Sequence, residues 1–265
     1  MRQETIIQNQ KIICNDCLEE MKSMSEDCID VVVFSPPYNV GHNYNTYDDN
    51  LSLEDYIVWM SNIFIEVKRL LKPNGSFFLN IGGTCKEPWR AMQLAMCAGK
   101  FFVLQNDIVW VKSITVADNS YGHFKPINSS RFLNQQHESI FHFTKTGDVV
   151  LDRLSIGVPY QDESNIERWA HKSKGEKSNK RCRGNVWHIP YKTVKSKKKH
   201  TAGFPIELPE NCIRLHGLRP DLVVLDPFLG AGSTLQACKK LNLSGIGIEL
   251  DPYYCCLAED NLNGE

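Results

Sequence analysis

The stretch that decides the fold is Val223-Val224-Leu225-Asp226-Pro227-Phe228-Leu229-Gly230-Ala231-Gly232-Ser233-Thr234. Its apolar start predicts a buried strand, and a helix is predicted to begin at Ser233. Between them, Gly230 and Gly232 allow a tight turn and a close approach of the backbone to a ligand, because glycine has no side chain. A strand, a glycine turn and a helix in this order are typical of one half of a nucleotide-binding fold. No Gly-Lys-Ser/Thr sequence follows the turn, which disfavours a triphosphate site.

Glu249 ends the next predicted strand. A carboxylate at this place can accept hydrogen bonds from the two hydroxyls of a ribose. The glycine turn and Glu249 alone leave a dinucleotide-dependent dehydrogenase as an alternative, although the full stretch from Asp226 to Thr234 departs from the dinucleotide pattern.

A second motif, Phe34-Ser35-Pro36-Pro37-Tyr38, follows the apolar run Ile29–Phe34. An exocyclic amine of a base is a poor nucleophile, because its lone pair is delocalised into the ring. The hydroxyl of Ser35 and the carbonyl of Pro36 can accept its hydrogens, and consecutive prolines hold such acceptors in place. Tyr38 offers a flat face for stacking an extruded base. A structural turn after a strand is the alternative.

Together the two motifs resemble those of the DNA amino-methyltransferases, and their order, catalytic motif first, resembles the permuted beta group. The resemblance extends from about Ile12 to Leu262. It implies S-adenosylmethionine as the cofactor and methyl donor. The implied fold is α/β and Rossmann-like, with a twisted, mostly parallel seven-stranded sheet, helices on both faces and an inserted target-recognition region.

The resemblance also implies roles for individual residues. The catalytic residues are Ser35, Pro36, Pro37, Tyr38 and Asp16, although Asp16 is also suited to cap the helix that follows it. The cofactor-binding residues are Asp226, Pro227, Phe228, Gly230, Gly232, Ser233, Thr234 and Glu249, with His200, Thr201, Phe204 and Pro205 upstream. His137-Glu138 matches the family in position, but structural hydrogen bonding is the more common reason for such a pair at a strand edge.

Ser35 favours cytosine as the target, because serine at this place is usual in the family's N4-cytosine enzymes and Asp or Asn in its N6-adenine enzymes. An N6-adenine enzyme is the first alternative. A catalytically inactive nucleic-acid-binding module would show a damaged motif, and neither motif is damaged. An RNA or protein-glutamine methyltransferase is disfavoured by the motif order and by the basic segment described next.

The segment from Arg168 to His200 is strongly basic. It holds twelve of the 30 Lys and Arg residues but a single acid out of 31, so the rest of the chain is acidic. Trp169, Trp187 and Tyr191 add aromatic surface. Basic and aromatic residues against an acidic body favour a polyanion, so double-stranded DNA is the predicted partner. The candidate DNA contacts are Arg181, Arg183, Lys197, Lys198 and Lys199; a solvated loop is the alternative for the three lysines.

Strands alternate with helices at both ends of the chain, which predicts a mostly parallel sheet. The predicted strands are Ile12–Cys14, Ile29–Phe34, Ser76–Ile81, Phe101–Lys112, Glu138–Thr144, Leu222–Leu225 and Ile246–Leu250. The predicted helices are Leu18–Met24, Leu53–Leu71, Trp89–Cys97 and Ser233–Leu241. We therefore divide the chain into a catalytic half (1–146), a basic target-recognition region (147–199) and a cofactor-binding half (200–265).

The composition sets outer limits. A chain of 265 residues that is 42% hydrophobic can bury a sizeable core. No apolar run approaches the ~20 residues that span a membrane, and the N-terminus lacks a signal peptide. The ten irregularly spaced cysteines predict free thiols in a cytoplasmic, DNA-associated protein, and Cys14-Asn15-Asp16-Cys17 without a second such pair predicts no metal site. A homodimer and a cognate restriction nuclease are further predicted partners.

Overall fold

The computed structural model of the protein describes residues 2–42, 44–116, 119–122, 129–133, 135–162, 164, 179–190 and 203–264. Five of the predicted site residues lie outside these ranges, namely Lys197, Lys198, Lys199, His200 and Thr201.

Ten of the described strands form one sheet, in the order β1-β2-β12-β11-β3-β4-β7-β5-β10 with β6 paired to β5, and β8 pairs with β9 in a small separate sheet. The strands are β1 (Gln3–Ile7), β2 (Gln10–Cys14), β3 (Ile29–Phe34), β4 (Leu71–Ile81), β5 (Val103–Val116), β6 (Asn119–Gly122), β7 (His137–Thr144), β8 (Val158–Pro159), β9 (Lys180–Arg181), β10 (Val186–Pro190), β11 (Val223–Asp226) and β12 (Ser244–Glu249).

The sheet is larger than the predicted seven strands. All seven predicted strands are present, and β1, β6 and β10 extend them. The contiguous block β2-β12-β11-β3-β4 is parallel throughout. The exception among the predicted strands is β7, which runs antiparallel to both β4 and β5. The sequence of a strand does not reveal its direction, because side chains alternate in the same way in parallel and antiparallel strands.

Six helices of the described chain cover the two faces: α1 (Cys17–Ser23), α2 (Leu53–Leu70), α3 (Arg90–Ala98), α4 (Glu207–His216), α5 (Ser233–Lys240) and α6 (Pro252–Asn263). The central strand β3 shows why both faces are covered. Its Val32 and Phe34 belong to the same core cluster as α2, whereas Val31 and Val33 belong to the cluster that contains α4. A strand that is apolar in both directions requires helices on both sides. None of the helices in the described part of the chain is long and apolar enough to cross a membrane.

The connections leave a crevice between β3 and β11. These two strands pair directly, with Val31 opposite Val224 and Val32 opposite Leu225. From β3 the chain passes through α2 to β4 on one side, and from β11 it passes through α5 to β12 on the other. Such a reversal of strand order opens a crevice at the carboxyl ends of the strands, where α/β proteins bind ligands.

Trp187 of the basic segment is buried, so the prediction that it contributes to a surface facing DNA is wrong. It was expected on a surface that faces DNA, but it lies in β10, pairs in parallel with β5 and is 1% exposed. Trp187 and Ile189 face the core while the residues between and beside them face out, which is the alternation of a half-buried strand. Residues 186–190 thus belong to the main sheet, although they fall inside the range predicted as a target-recognition region.

Candidate active site

A cavity of about 270 Å³ occupies the crevice. The carboxyl ends of four strands supply much of its wall, with Asn15 and Asp16 after β2, Ser35, Pro36, Pro37 and Tyr38 after β3, Pro227, Phe228 and Gly230 after β11, and Glu249 at the end of β12. The cavity therefore joins the two motifs that the sequence places at opposite ends of the chain.

Asp226 shapes the glycine loop from within. Its side chain is 1% exposed and accepts hydrogen bonds from the Phe228 backbone N–H at 3.0 Å and from the Thr234 hydroxyl at 2.5 Å. Burial raises the pKa of Asp226 to about 7. Gly232 has a φ of +89°, which favours glycine. The residues Asp226, Gly232, Ser233 and Thr234 lie behind the cavity wall, so they hold the loop that presents Pro227, Phe228 and Gly230.

Glu249 lies in the cavity wall directly beside the glycine loop. Its Oε2 accepts the Gly230 N–H at 2.8 Å and its Oε1 accepts the Asp251 N–H at 2.9 Å. Burial raises the pKa of Glu249 above its usual range. Each carboxylate oxygen has two lone pairs, so each retains one for a hydroxyl donor. Glu249 can therefore hold the loop and a ribose at once.

The loop residues 39–42 and 44–51 close the outer side of the cavity. The carboxylate of Asp49 accepts the backbone N–H groups of Asn39, Val40 and His42 at 2.8 to 3.0 Å. The amide of Asn45 donates to Asp251 at 2.8 Å and ties the loop to the end of β12. Its aromatic residues face the cavity, and Tyr47 stacks on Trp59 of α2 with ring centroids 5.3 Å apart.

The Ser-Pro-Pro-Tyr motif is held by hydrogen bonds at both of its ends. The Ser35 hydroxyl donates to the Tyr38 hydroxyl at 2.9 Å, and Tyr38 donates to Oε2 of Glu138 at 3.1 Å. The Tyr56 hydroxyl of α2 donates to the Pro37 carbonyl at 2.8 Å. Burial raises the pKa of Tyr38 well above its usual range, so Tyr38 keeps its proton and remains a donor.

Two further residues surround Glu138, and the sequence analysis identified neither of them. The Asn80 amide donates to Oε2 of Glu138 at 3.1 Å, and the Lys112 ammonium contacts Oε1. Asn80 is the penultimate residue of β4, and Lys112 lies in the second half of β5. A polar side chain at the carboxyl end of a parallel strand is the signal that could have marked Asn80.

Asp16 caps a helix and lies at the cavity, so both of its predicted roles remain compatible with its place. It is the N-cap of α1, with its carboxylate accepting the Glu19 N–H at 3.0 Å, and it also lines the cavity.

Four described residues from the groups predicted upstream of the cofactor strand and in the basic segment are not part of the cavity wall, namely Phe204, Pro205, Arg181 and Arg183. Phe204 accepts a hydrogen bond from the Ser233 hydroxyl through its carbonyl at 2.8 Å, next to Pro205. Arg181 is exposed in β9, whereas Arg183 is half-buried and donates from Nε to the Ile156 carbonyl at 3.1 Å. One donor of Arg183 thus anchors the chain near β8. Across the described residues, no group of three or more His, Cys, Asp or Glu side chains is arranged to hold a metal ion.

Comparisons with known proteins agree with this geometry. A family model described as DNA methylase matches residues 29–260. The type II methyltransferase M.HpaI of Haemophilus parainfluenzae is 29% identical over 263 residues, which cover 97% of this chain and 75% of that protein. The structure of the PvuII DNA methyltransferase (cytosine-N4-specific) matches with a TM-score of 0.69 and 21% identity, covering 97% of this chain and 94% of that one. A putative DNA modification methylase of Thermus thermophilus, complexed with S-adenosyl-L-methionine, matches with a TM-score of 0.62 and 24% identity, covering 95% and 92%.

Proposed function

Because the chain belongs to the DNA methylase family, we propose that it methylates the exocyclic N4 of a cytosine flipped out of double-stranded DNA. The observation that carries the proposal is Ser35, a neutral hydroxyl in the cavity wall whose own hydrogen is directed to Tyr38. Its lone pairs are thereby left to accept a hydrogen from the target amine.

S-adenosylmethionine is the methyl donor of this family, and the chemistry of the cavity fits it. Phe228, Trp59 and Tyr47 offer aromatic surface for an adenine, and Glu249 offers carboxylate oxygens for ribose hydroxyls. When bound, it would supply a methyl group activated by its sulfonium sulfur; the sulfur would keep the electron pair of the broken carbon–sulfur bond, and the methylated amine would release one proton to water.

The catalytic loop acts on the amine by accepting its hydrogens. Ser35 and the Pro36 carbonyl draw the amine nitrogen away from conjugation with the ring, which makes its lone pair available for the methyl group. The two prolines and the bond from Tyr56 to the Pro37 carbonyl keep these acceptors in place. The Tyr38 ring, which lines the cavity, stacks on the base.

The basic segment from Arg168 to His200 supplies the attraction to DNA phosphates. Its twelve basic residues are set against an acidic remainder of the chain. The type II methyltransferase relatives support a place in a restriction-modification system. We further propose that a cognate nuclease acts on the same DNA site, that the protein acts on DNA in the cytoplasm, and that it forms a homodimer.

Mass spectrometry of nucleosides tests the base. DNA is incubated with the protein and S-adenosylmethionine and digested, and N4-methylcytosine is the expected product. A Ser35→Ala variant is the control and is expected to lose most of the product while it still binds the cofactor. N6-methyladenine as the sole modified nucleoside would overturn the base but not the family, and no modified nucleoside from DNA of varied sequence would favour an inactive binding module.

A further inference from the structure

A directed chain of hydrogen bonds links the catalytic loop to Glu138 on β7. The carboxylate of Glu138 forms an ion pair with Lys112 through Oε1 and accepts the Tyr38 hydroxyl hydrogen through Oε2 at 3.1 Å. An ionised carboxylate can only accept, so Tyr38 must donate to it. The Tyr38 oxygen is then the acceptor for the Ser35 hydrogen, at 2.9 Å. The direction of the chain therefore runs from Ser35 to Glu138.

Glu138 is held in place by its surroundings, so it can fix the end of this chain of hydrogen bonds. Its side chain is 12% exposed. Donors from three different elements converge on it, namely Tyr38 after β3, Asn80 of β4 and Lys112 of β5. A Cβ atom at Gly82 would lie 2.9 Å from Cγ of Glu138, so the glycine leaves the space that the carboxylate occupies.

The direction of the chain matters for the amine chemistry. A serine hydroxyl can donate or accept, and a hydroxyl that pointed its hydrogen at the amine would compete for the lone pair that receives the methyl group. Because Ser35 donates to Tyr38, its remaining lone pairs are available as acceptors. Positive charge develops on the amine during transfer, and the anion at the end of a polarised chain favours that charge.

We propose that Glu138 is a positioning residue for methyl transfer: acting through Tyr38, it fixes the Ser35 hydroxyl as the hydrogen-bond acceptor for the target amine. This inference rests on the proposed role of Ser35 and extends it to a residue on a different strand. It holds for a cytosine amine and an adenine amine alike, because both present hydrogens to the same acceptor.

The test combines Tyr38→Phe, which keeps the ring and removes the hydroxyl, with Glu138→Gln. The single-turnover rate is measured for both single variants and for the double variant, at saturating DNA and S-adenosylmethionine. Each single variant is expected to be about 10- to 100-fold slower, the range for partners that orient a catalytic group, with unchanged affinity for the cofactor by calorimetry. The double variant is expected to be no slower than the slower single variant, because both changes break the same chain. Effects that multiply, or a wild-type rate for Glu138→Gln, would overturn the proposal.

Glu66→Gln is the matched control. It removes a carboxylate of similar exposure (13%) from an ion pair with Arg69 and leaves the hydrogen bonds from Ser35 to Glu138 intact, so a rate near that of the wild type is expected.

Lys112→Gln breaks the ion pair of Glu138 but leaves Oε2 as the acceptor for Tyr38, so it is expected to slow the transfer less than Glu138→Gln does. If Lys112→Gln and Glu138→Gln slow the transfer equally, the ion pair alone matters and the proposal fails. If Glu138→Gln does not fold, Tyr38→Phe decides from the other end of the chain, and a wild-type rate contradicts the proposal. The product of the wild type is identified first, so an adenine product overturns the base assignment while the rates are then measured on adenine.

Discussion

At the scale of single residues, Glu249 shows how one side chain can serve both the fold and a ligand. Its two oxygens accept the backbone N–H groups of Gly230 and Asp251, and the residue lines the cavity. The position was predicted from the sequence as the ribose acceptor. The two backbone contacts were not predicted, because they depend on the path of the loops that follow β11 and β12.

Replacing Glu249 with Ala is expected to weaken the binding of S-adenosylmethionine by roughly 1–3 kcal/mol, the range for hydrogen-bonding groups left unsatisfied. Isothermal calorimetry measures the change. Asp260→Ala removes an exposed carboxylate from α6 and is the control, with no expected change. Equal affinities for the Glu249 variant and the wild type would exclude the ribose role.

His142 predicts a dependence of stability on pH. Its ring is fully buried, stacks on Phe78 with centroids 4.5 Å apart and contacts the hydroxyl of Ser76 at 3.0 Å. Burial lowers the pKa of His142 to about 3 and that of His216, also bonded to Ser76, to about 4. In the unfolded chain both groups bind protons near their ordinary pKa of about 6.5. The unfolded state therefore takes up more protons, and this contribution to stability is present above that pH and lost as the pH falls toward 3.

As the pH is lowered from about 6.5 to 4, we expect the free energy of unfolding in urea to change less favourably in the wild type than in a His142→Gln variant. The raised pKa of Asp226 acts in the opposite direction, but it does so equally in both proteins. The slope is proportional to the protons bound on unfolding, and the variant binds about one proton fewer. The comparison of slopes separates the titration of His142 from the general loss of packing. Identical slopes in the two proteins would show that His142 titrates alike in the folded and unfolded states.

At the scale of elements, the contact between β12 and the glycine loop determines where Phe228 and Gly230 lie. Leu229 of the loop is 4% exposed and packs over Gly247 of β12, where an added Cβ atom would lie 2.6 Å from both methyl carbons of the leucine. The loop can approach the sheet this closely only because position 247 has no side chain.

A Gly247→Ala substitution is therefore expected to displace Leu229 and its neighbours. Overpacking of this kind costs about 1–3 kcal/mol of stability, and the displaced loop should also bind the cofactor more weakly. Thermal unfolding and calorimetry measure the two effects. Gly99→Ala is the control, because an added Cβ atom there would lie at least 3.4 Å from its neighbours. Cofactor affinity unchanged by Gly247→Ala would mean that the loop does not depend on this contact.

At the scale of the whole molecule, charge is divided between the basic segment and the remainder of the chain. The segment from Arg168 to His200 carries twelve of the 30 basic residues and a single acid. Binding to DNA through phosphate contacts releases counterions, so the affinity should fall steeply with salt. We expect Lys197, Lys198 and Lys199 replaced together by Ala to weaken binding to all DNA sequences and to flatten the dependence on salt.

A second triple variant with the same change in charge, Lys22, Lys68 and Lys100 to Ala, is the control for that measurement. Lys22 and Lys68 lie in the last turns of α1 and α2. These helices lead into the amino ends of β3 and β4, whereas the cavity lies at the carboxyl ends of the strands. This variant should keep the wild-type slope of affinity against salt. Equal slopes for all three proteins would mean that the lysine run is a solvated loop and that the DNA-facing surface lies elsewhere.

The sequence by itself determined the family, the fold class and the two motifs of the site. These features are local: β3 is apolar in both directions and was predicted with its observed bounds, and the turn after β11 carries Gly230 and Gly232 within three residues. Asp16, Ser35 and Glu249 were predicted as site residues for the same reason, since each lies at the end of a short strand or within two residues after it, and all three line the cavity. Local patterns of this kind persist whatever the rest of the chain does.

Only the tertiary structure decided which side chains support those motifs. Tyr38 and Glu138 are 100 residues apart and meet because β7 runs antiparallel beside β4. Trp187 entered the core because β10 pairs with β5, although its neighbours in the sequence are basic. Strand pairing depends on the energy of the assembled sheet, and a short strand has the same alternation whichever neighbour it joins. The contact between Tyr38 of the catalytic loop and Glu138 therefore depends on the order of the strands in the sheet, which neither local sequence contains.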